Sequence, residues 1–519
     1  MKSSPVVRNA LQLARRRQRA AAGLSLPLPG GKGIGRRALL KAMGAGAALA
    51  ALPLAACRAT GSQQRVAVVG GGLAGLNALH TLAGAGVEAR LYEAANRIGG
   101  RVFTRSEFPG TTGWVEMGGQ LVNTDHADMF ALCEEFGLEL IDGLALGGTD
   151  QIVRDRLAIP DPELVAALGP IAAQIAADSE ALDADWETNA PAIDAMSTAQ
   201  YLDLHADKIG SVAVRRLLEQ TMRSEYGVEP AEASALQLIF NLPTVDGEAY
   251  EVLSTSDERF VVRGGSQRVT DALAAAHESQ IERGRKLAAL AQGDNGVTLS
   301  FEDGTTAEAD HVILTLPASL LGSIDHGGLF DADWQAYASE VTLGRNDKLN
   351  AAYTGRPWQA TMGAWAASWD AGDDPRFVEV WECTAGSQDS QGAVLTWFFG
   401  GDQITGMGDP GLRAAVEARV GDTMGDLAGT STEHSARTGW STGPLSRGAY
   451  VNYGPGQLTR FGGQLWVEED DGSASQVARS GPILFAGEHL SDAWPGFMNG
   501  AAQTGRMAAE AVLAQVNAS

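Results

Sequence analysis

The stretch RVAVVGGGLAGLNALHTLAGAGVEARLYEAANRIGGR, Arg65 to Arg101, constrains this chain more than any other. Val66–Val69 is a short β-branched run of the kind that fills a buried parallel strand. Gly70-x-Gly72-x-x-Gly75 follows at once, and Leu76, Leu79 and Leu82 recur at helical spacing. Ala89 to Tyr92 reads as a second strand, ending at Glu93, 18 residues after Gly75. Each part has a duty. Gly70 permits a tight turn, Gly72 lets the backbone approach a pyrophosphate, and Gly75 allows close helix–strand packing. The pyrophosphate would rest on the helix N-terminus, with Leu73 and Ala74 in its first turn. Glu93 suits a ribose hydroxyl, and so NAD or FAD rather than NADP. GxGxxG alone would say little. Strand, loop, helix, strand and acid in this order imply an α/β chain with a Rossmann-like dinucleotide fold.

At 519 residues the chain exceeds what one hydrophobic core usually holds, so two domains, or one discontinuous pair, are expected. Hydrophobic residues make up 45% and charged ones 20%, which speaks against a disordered or fibrous chain. The net charge of −24 is unevenly spread: residues 1–56 hold ten of the 39 Lys and Arg and none of the 63 Asp and Glu. The remainder is strongly acidic, so nucleic acid is not an expected partner. Such a field would draw in a cationic substrate, or serve solubility alone. Besides Cys57, just past the leader, the chain holds only Cys133 and Cys383. They pair or stay free, which the sequence does not decide, and they are too few for a zinc cluster. No metal is expected.

The basic leader, residues 1–56, reads as an address. Gly35–Lys41 (GRRALLK) precedes the apolar run Ala42–Ala56, the layout of an export signal and too short for an ordinary membrane span. The paired Arg36-Arg37 resembles a twin-arginine signal. Leu54-Ala-Ala-Cys57 looks like a bacterial lipoprotein cleavage box, with Cys57 as the lipidated residue. An export route for folded proteins suits a chain that collects a tightly bound cofactor in the cytoplasm. The expected location is periplasmic or at the cell surface, with the membrane touched only through the lipid anchor.

Arg97-Ile-Gly99-Gly100-Arg101 separates the two dinucleotides, because it resembles the second FAD motif of the flavin-containing amine oxidase family. That family includes the monoamine and polyamine oxidases and the L-amino acid oxidases. The resemblance continues in order to about residue 513. WVEMGGQLV (Trp114–Val122) resembles the Gly-Gly segment beneath the flavin, RFVVRGGSQRVTDALA (Arg259–Ala274) a strand-to-helix turn, and HVILTLPASLL (His311–Leu321) a strand ending in Thr-x-Pro. VTLGRNDKLNAAYTGRPW (Val341–Trp358) resembles the segment carrying the family's active-site lysine. GWSTGPLSRGAYVNYGPGQ (Gly439–Gln457) and LFAGEHLSDAWPGFMNGAAQTGRMAAEAVL (Leu484–Leu513) complete the set. The implied architecture is a discontinuous Rossmann-like FAD-binding domain, 57–124, 252–328 and 439–519, with a mixed α+β substrate-binding domain, 125–251 and 329–438.

The resemblance also implies roles. Arg101 lies beside the diphosphate, Glu488 binds the ribityl chain, and Gly118, Gly119, Gln120, Leu287, Trp440 and Gly487 contact the cofactor. The helix starting near Phe497 and Met498 turns its N–H groups toward the flavin N1–C2=O edge, where reduced flavin gathers negative charge. Lys348 holds a water against flavin N5. Tyr450 and Phe497 form two aromatic walls, a cage that suits an amine. Two departures narrow the reading. Ala449 stands where covalently flavinylated monoamine oxidases carry Cys, so non-covalent FAD is expected. Gln120-Leu121-Val122-Asn123 holds no Arg where some L-amino acid oxidases clamp the substrate carboxylate, which favours an amine without one.

The expected activity is hydride transfer from an amine α-carbon to flavin N5. The imine hydrolyses to a carbonyl compound, and O2, giving H2O2, or a respiratory acceptor takes the electrons. An L-amino acid oxidase is the enzymatic alternative. A non-catalytic flavin-binding surface protein is the other, and the presence of Lys348, Tyr450 and Glu488 argues against it. A homodimer is left open.

Overall fold

The computed structural model describes residues 64–294 and 296–516. The leader, the twin arginines and Cys57 lie outside the described residues. Val66–Val69 buries all four side chains, and a strand buried on both faces belongs inside a parallel sheet. The six-stranded sheet runs Ile281–Arg283, Ala89–Glu93, Val66–Val69, His311–Leu314, Ile483–Phe485, Arg479–Ser480. The first five strands are parallel, and the last turns back on Ile483–Phe485. Three distant stretches of chain therefore meet in one sheet. Helix Leu73–Gly84, with Leu76, Leu79 and Leu82 buried, packs along the C-terminal helix Met498–Val516. Gly505 sets how close they come, since a Cβ there would lie 2.1 Å from the Ala74 carbonyl oxygen. A three-stranded antiparallel sheet, Leu287–Gly293, Gly296–Phe301 and Thr306–Ala309, packs alongside, with the Tyr92 and Phe301 rings 4.8 Å apart.

The second body is a seven-stranded sheet. Its order is Ser431–Arg437, Asn346–Tyr353, Ala393–Gly400, Glu379–Glu382, Ala367–Asp370, Gln151–Arg154, Leu157–Ala158. Every neighbouring pair is antiparallel except Ala367–Asp370 with Gln151–Arg154. Asn346–Tyr353 and Ala393–Gly400 are buried along their whole length, and their register sets Lys348 opposite Phe398. The Ala-rich segment forms the 24-residue helix Asp161–Ala184, which keeps Pro170 inside it. Helix Val212–Glu225 packs on the sheet through Ala393–Gly400.

Two stretches sit on the other side of the boundary that the sequence reading draws. Helix Ala127–Glu135 docks on the C-terminal helix, through an Arg506–Asp128 ion pair of 2.6 Å and a bond from the Met129 N–H to Asn499 Oδ1. Leu140–Asp142 pairs with Phe260–Val262, which also pairs with Leu121–Val122. The chain thus crosses to the seven-stranded sheet after residue 142, not at 125. Helix Ala332–Glu340 likewise stays with the parallel sheet, stacking Trp334 on Phe485 at 3.7 Å. Periodicity identifies such elements as helices or strands, but it does not say which neighbour buries their apolar face.

Candidate active site

The dinucleotide end is built as its glycines require. Gly70 turns the chain at φ +112°, and a Cβ at Gly75 would lie 2.0 Å from the Gly70 carbonyl oxygen. Gly75 therefore packs helix against turn and does not itself reach the cavity wall. Gly72 caps the helix without a side-chain bond, and nothing lies within 4 Å of where its Cβ would stand. The bare N–H groups of the first turn thus face open space, which fits a pyrophosphate. Glu93 is held by the N–H groups of Gly71 (2.5 Å) and Ala95 (2.6 Å).

From Glu93 a cavity of ≈ 570 Å³ runs past Gly70, Gly72, Leu73, Ala74, Arg101 and Leu287 to Gly118, Gly119, Lys348, Trp440, Tyr450, Gly487, Glu488, Phe497 and Met498. That volume lies in the range of cofactor and ligand sites. A long cavity with an anion cradle at one end fits FAD. Gln120 is not on the wall. It is buried behind it, accepting from Trp381 Nε1 at 3.1 Å. The sequence reading placed it too close because it follows directly on Gly118-Gly119.

Glu488 and Arg101 are engaged with each other at 2.7 Å, and Arg101 also donates to the Ala449 carbonyl. The second Glu488 oxygen accepts from the Gly496 N–H at 2.9 Å. These residues line the cavity, but what they hold is the turn before the C-terminal helix and the loop bearing Tyr450. Gly118 and Gly119 are small for steric reasons: a Cβ at Gly118 would strike the Arg101 carbonyl, and one at Gly119 the Met498 side chain.

Lys348 is 6% exposed. Its Nζ donates to the Gly118 carbonyl oxygen at 2.7 Å and sits 5.5 Å from the Trp381 ring. Burial lowers its pKa, while Cys383, Glu116, Glu258 and Glu379 act to raise it. Glu116 is also buried, which pushes its carboxyl up to about 7 although it accepts from Ser266 N and Thr104 Oγ1. Tyr450 and Phe497 line the same cavity, and burial raises the Tyr450 phenol. Trp440 is fixed by its indole N–H to the Met117 carbonyl at 2.8 Å. Cys133 and Cys383 are both free and buried.

Sequence reasoning missed several functional neighbours. Asp347 accepts from Trp440 N (2.9 Å), Thr438 Oγ1 (3.0 Å) and Ser441 Oγ (3.1 Å), clamping the loop beside Lys348. The half-buried Glu225 and Glu258 and the buried Glu379 are distant in sequence and follow no motif. The alternation of the Glu379–Glu382 strand was the only available signal for Trp381.

A family model described as flavin containing amine oxidoreductase matches residues 73–513. The chain belongs to this family. Its cofactor is FAD, and no cysteine lines the cavity to tether it. The chain is similar to a pseudooxynicotine dehydrogenase of Pseudomonas sp (23% identical, covering 85% of this chain and 84% of that one). It is similar to the nicotine dehydrogenase of Pseudomonas putida at 25%, covering 86% and 88%. In fold it is similar to putrescine oxidase in its putrescine complex, with TM-score 0.69, 20% identity, and 87% and 99% of the two chains covered. The protein is a flavin-dependent amine oxidoreductase of α/β architecture.

Proposed function

We propose that the protein oxidises an amine that lacks an α-carboxylate, and that Lys348, Tyr450 and Phe497 form its reaction site. The observation that carries this reading is the buried Lys348 ammonium, fixed at 2.7 Å on Gly118 O, in the same cavity whose wall carries Tyr450 and Phe497. FAD, when bound, would supply the hydride acceptor for the amine α-carbon; the iminium so formed would lose a proton to give the imine, which hydrolyses to a carbonyl compound, and the electrons would pass on to O2 or a carrier. The chain's own contribution is placement. Lys348 offers a preorganised donor on the substrate side of the cavity, and such donors act strongly where water is excluded. The aromatic rings receive an amine face-on. Of the arginines on the cavity wall, Arg101 is already committed to Glu488 and Arg437 to the Thr405 and Met407 carbonyls. Neither is left as a carboxylate clamp, which favours simple amines over amino acids.

The test is anaerobic mixing of the holoenzyme with a panel of amines and L-amino acids. Bleaching of the flavin by amines supports the reading. Bleaching by amino acids alone refutes it, and no bleaching at all favours a binding protein without turnover. Reoxidation by air with H2O2 formation, against reoxidation only by a dye, separates oxidase from dehydrogenase. We further propose twin-arginine export and a lipid anchor at Cys57, on the leader sequence alone.

A further inference from the structure

Gly118 and Gly119 lie on the wall of the FAD cavity, and neither has room for a side chain: a Cβ would lie 1.9 Å from the Arg101 carbonyl oxygen at Gly118 and 2.9 Å from Met498 Cγ at Gly119. A stretch without side chains must be held through its backbone. Three successive carbonyl oxygens here each receive a side-chain donor. Asn350 Nδ2 donates to Glu116 O at 3.3 Å, Trp440 Nε1 to Met117 O at 2.8 Å, and Lys348 Nζ to Gly118 O at 2.7 Å. All three donors trace to the strand Asn346–Tyr353. Lys348 and Asn350 are two residues apart on it and share a face. Trp440 is placed by Asp347, whose Oδ1 accepts from its N–H at 2.9 Å.

Asn350 is fully buried, and a buried amide is costly unless its bonds are made. Its NH2 group also donates to Met117 Sδ at 3.3 Å. Glu116 O and Met117 Sδ can only accept, so the NH2 must face them and the amide oxygen must face away. That oxygen meets Thr396, which is directly opposite in the sheet, is fully buried and donates from Oγ1 at 2.7 Å. The amide thus has one orientation, and it aims a donor at the peptide two residues before Gly118. Any shift of that peptide carries with it the oxygen that anchors the Lys348 ammonium.

We infer that Asn350, its amide set by Thr396, is a positioning residue of the reaction: it holds the Glu116–Gly118 backbone in place and thereby fixes the Lys348 ammonium. This rests on the reading of Lys348 given above. Asn350 does not line the cavity and touches neither cofactor nor substrate, so its influence must pass through Lys348.

The test is a double-mutant cycle on anaerobic flavin reduction by amine, using holoenzyme of the wild type, Asn350→Leu, Lys348→Met and the double variant. Leu has the branching and heavy-atom count of Asn but no donor. The visible spectrum reports bound FAD, and hydrogen exchange over residues 114–122 reports the backbone independently of turnover. Asn350→Leu is expected to keep FAD, to exchange faster over 114–122, and to slow reduction on the order of 10–100-fold, the scale of a small misplacement at a reacting centre. In the Lys348→Met background the same change should cost less than about threefold, because residues acting as a unit are not additive. A role confined to packing would cost the same factor in both backgrounds, and that result overturns the inference. So does an Asn350→Leu enzyme with wild-type rate or unchanged exchange. Should that variant lose FAD or fail to fold, Thr396→Val, which frees the amide to turn, carries the same cycle. A wild type bleached by no amine is a different result, and it strikes the amine-oxidising reading itself.

Discussion

Replacing Lys348 by Met tests the reaction site most directly. Met is of similar length and apolar, so the buried slot beside Trp381 stays filled. What is lost is the bond to Gly118 O at 2.7 Å and a cation on which the charges of Glu116, Glu258 and Glu379 act. Leaving the Gly118 carbonyl without its donor costs about 1–3 kcal/mol of stability. Part of this is offset, because a desolvated ammonium is also removed. The fold should therefore survive. The cofactor cradle at Gly70, Gly72, Leu73 and Ala74 makes no bond to Lys348, whose ammonium is held by Gly118 O, so FAD should stay bound. Loss of a preorganised donor at the reacting centre slows chemistry by roughly 10²–10³. The assay is stopped-flow reduction by amine and reoxidation by O2, with the visible spectrum as the measure of bound FAD. Full FAD occupancy with both rates unchanged would remove Lys348 from the chemistry and sink the assignment of the Asn346–Tyr353 strand as the catalytic wall.

Four other outcomes are expected. Acid precipitation should release all the FAD into the supernatant, and colour left in the pellet would contradict the reading of Ala449. Gly505→Ala drives a methyl to within 2.1 Å of Ala74 O; it should cost about 1–3 kcal/mol and weaken FAD binding, seen as a lower Tm and an FAD titration shifted to higher concentration. The Glu116 carboxyl is raised by burial from 4.5 to about 7, so its contribution to stability is complete below 4.5 and lost as pH rises through 7. That contribution is on the order of 3 kcal/mol, and Glu116→Gln should flatten the fall in Tm between pH 5 and 8. Cys57→Ala should move the mature protein from the membrane to the soluble fraction, while Arg36→Lys with Arg37→Lys should leave precursor inside the cell; membrane retention of the Cys57 variant would exclude the lipid anchor.

What the sequence made legible was local. Val66–Val69, the glycine turn and Ala89–Glu93 are read from residues adjacent in the chain, because each glycine has a steric reason visible in its own neighbours. The C-terminal helix could be placed at Met498 for the same reason. The rest depends on distant pairs. Glu225, Glu258 and Glu379 come from a helix end, a loop and a strand, and no spacing connects them. Gln120 shows the converse: proximity in sequence to Gly118-Gly119 suggested cofactor contact, but its buried side chain is engaged with Trp381 behind the wall. The crossing points at 142 and 340 were missed because an amphipathic helix shows that it packs, not what it packs on.

Register is what converts this sheet into a site. Neighbouring residues of a strand point to opposite faces, and Asp347 and Lys348 use that alternation for opposite tasks. Asp347 grips Thr438, Trp440 and Ser441 on one side, and Lys348 reaches Gly118 on the other. A slip of one residue would exchange them, setting a carboxylate against a carbonyl oxygen and an ammonium against one N–H and two O–H donors. Both arrangements would bury unsatisfied charge, so the slipped state is strongly disfavoured. Eight paired residues between Asn346–Tyr353 and Ala393–Gly400 lock the same choice, and they carry it one strand further, to Glu379. The position of the lysine, the loop bearing Trp440 and the spacing to the buried acid are thus one structural decision, made by the pairing of three strands.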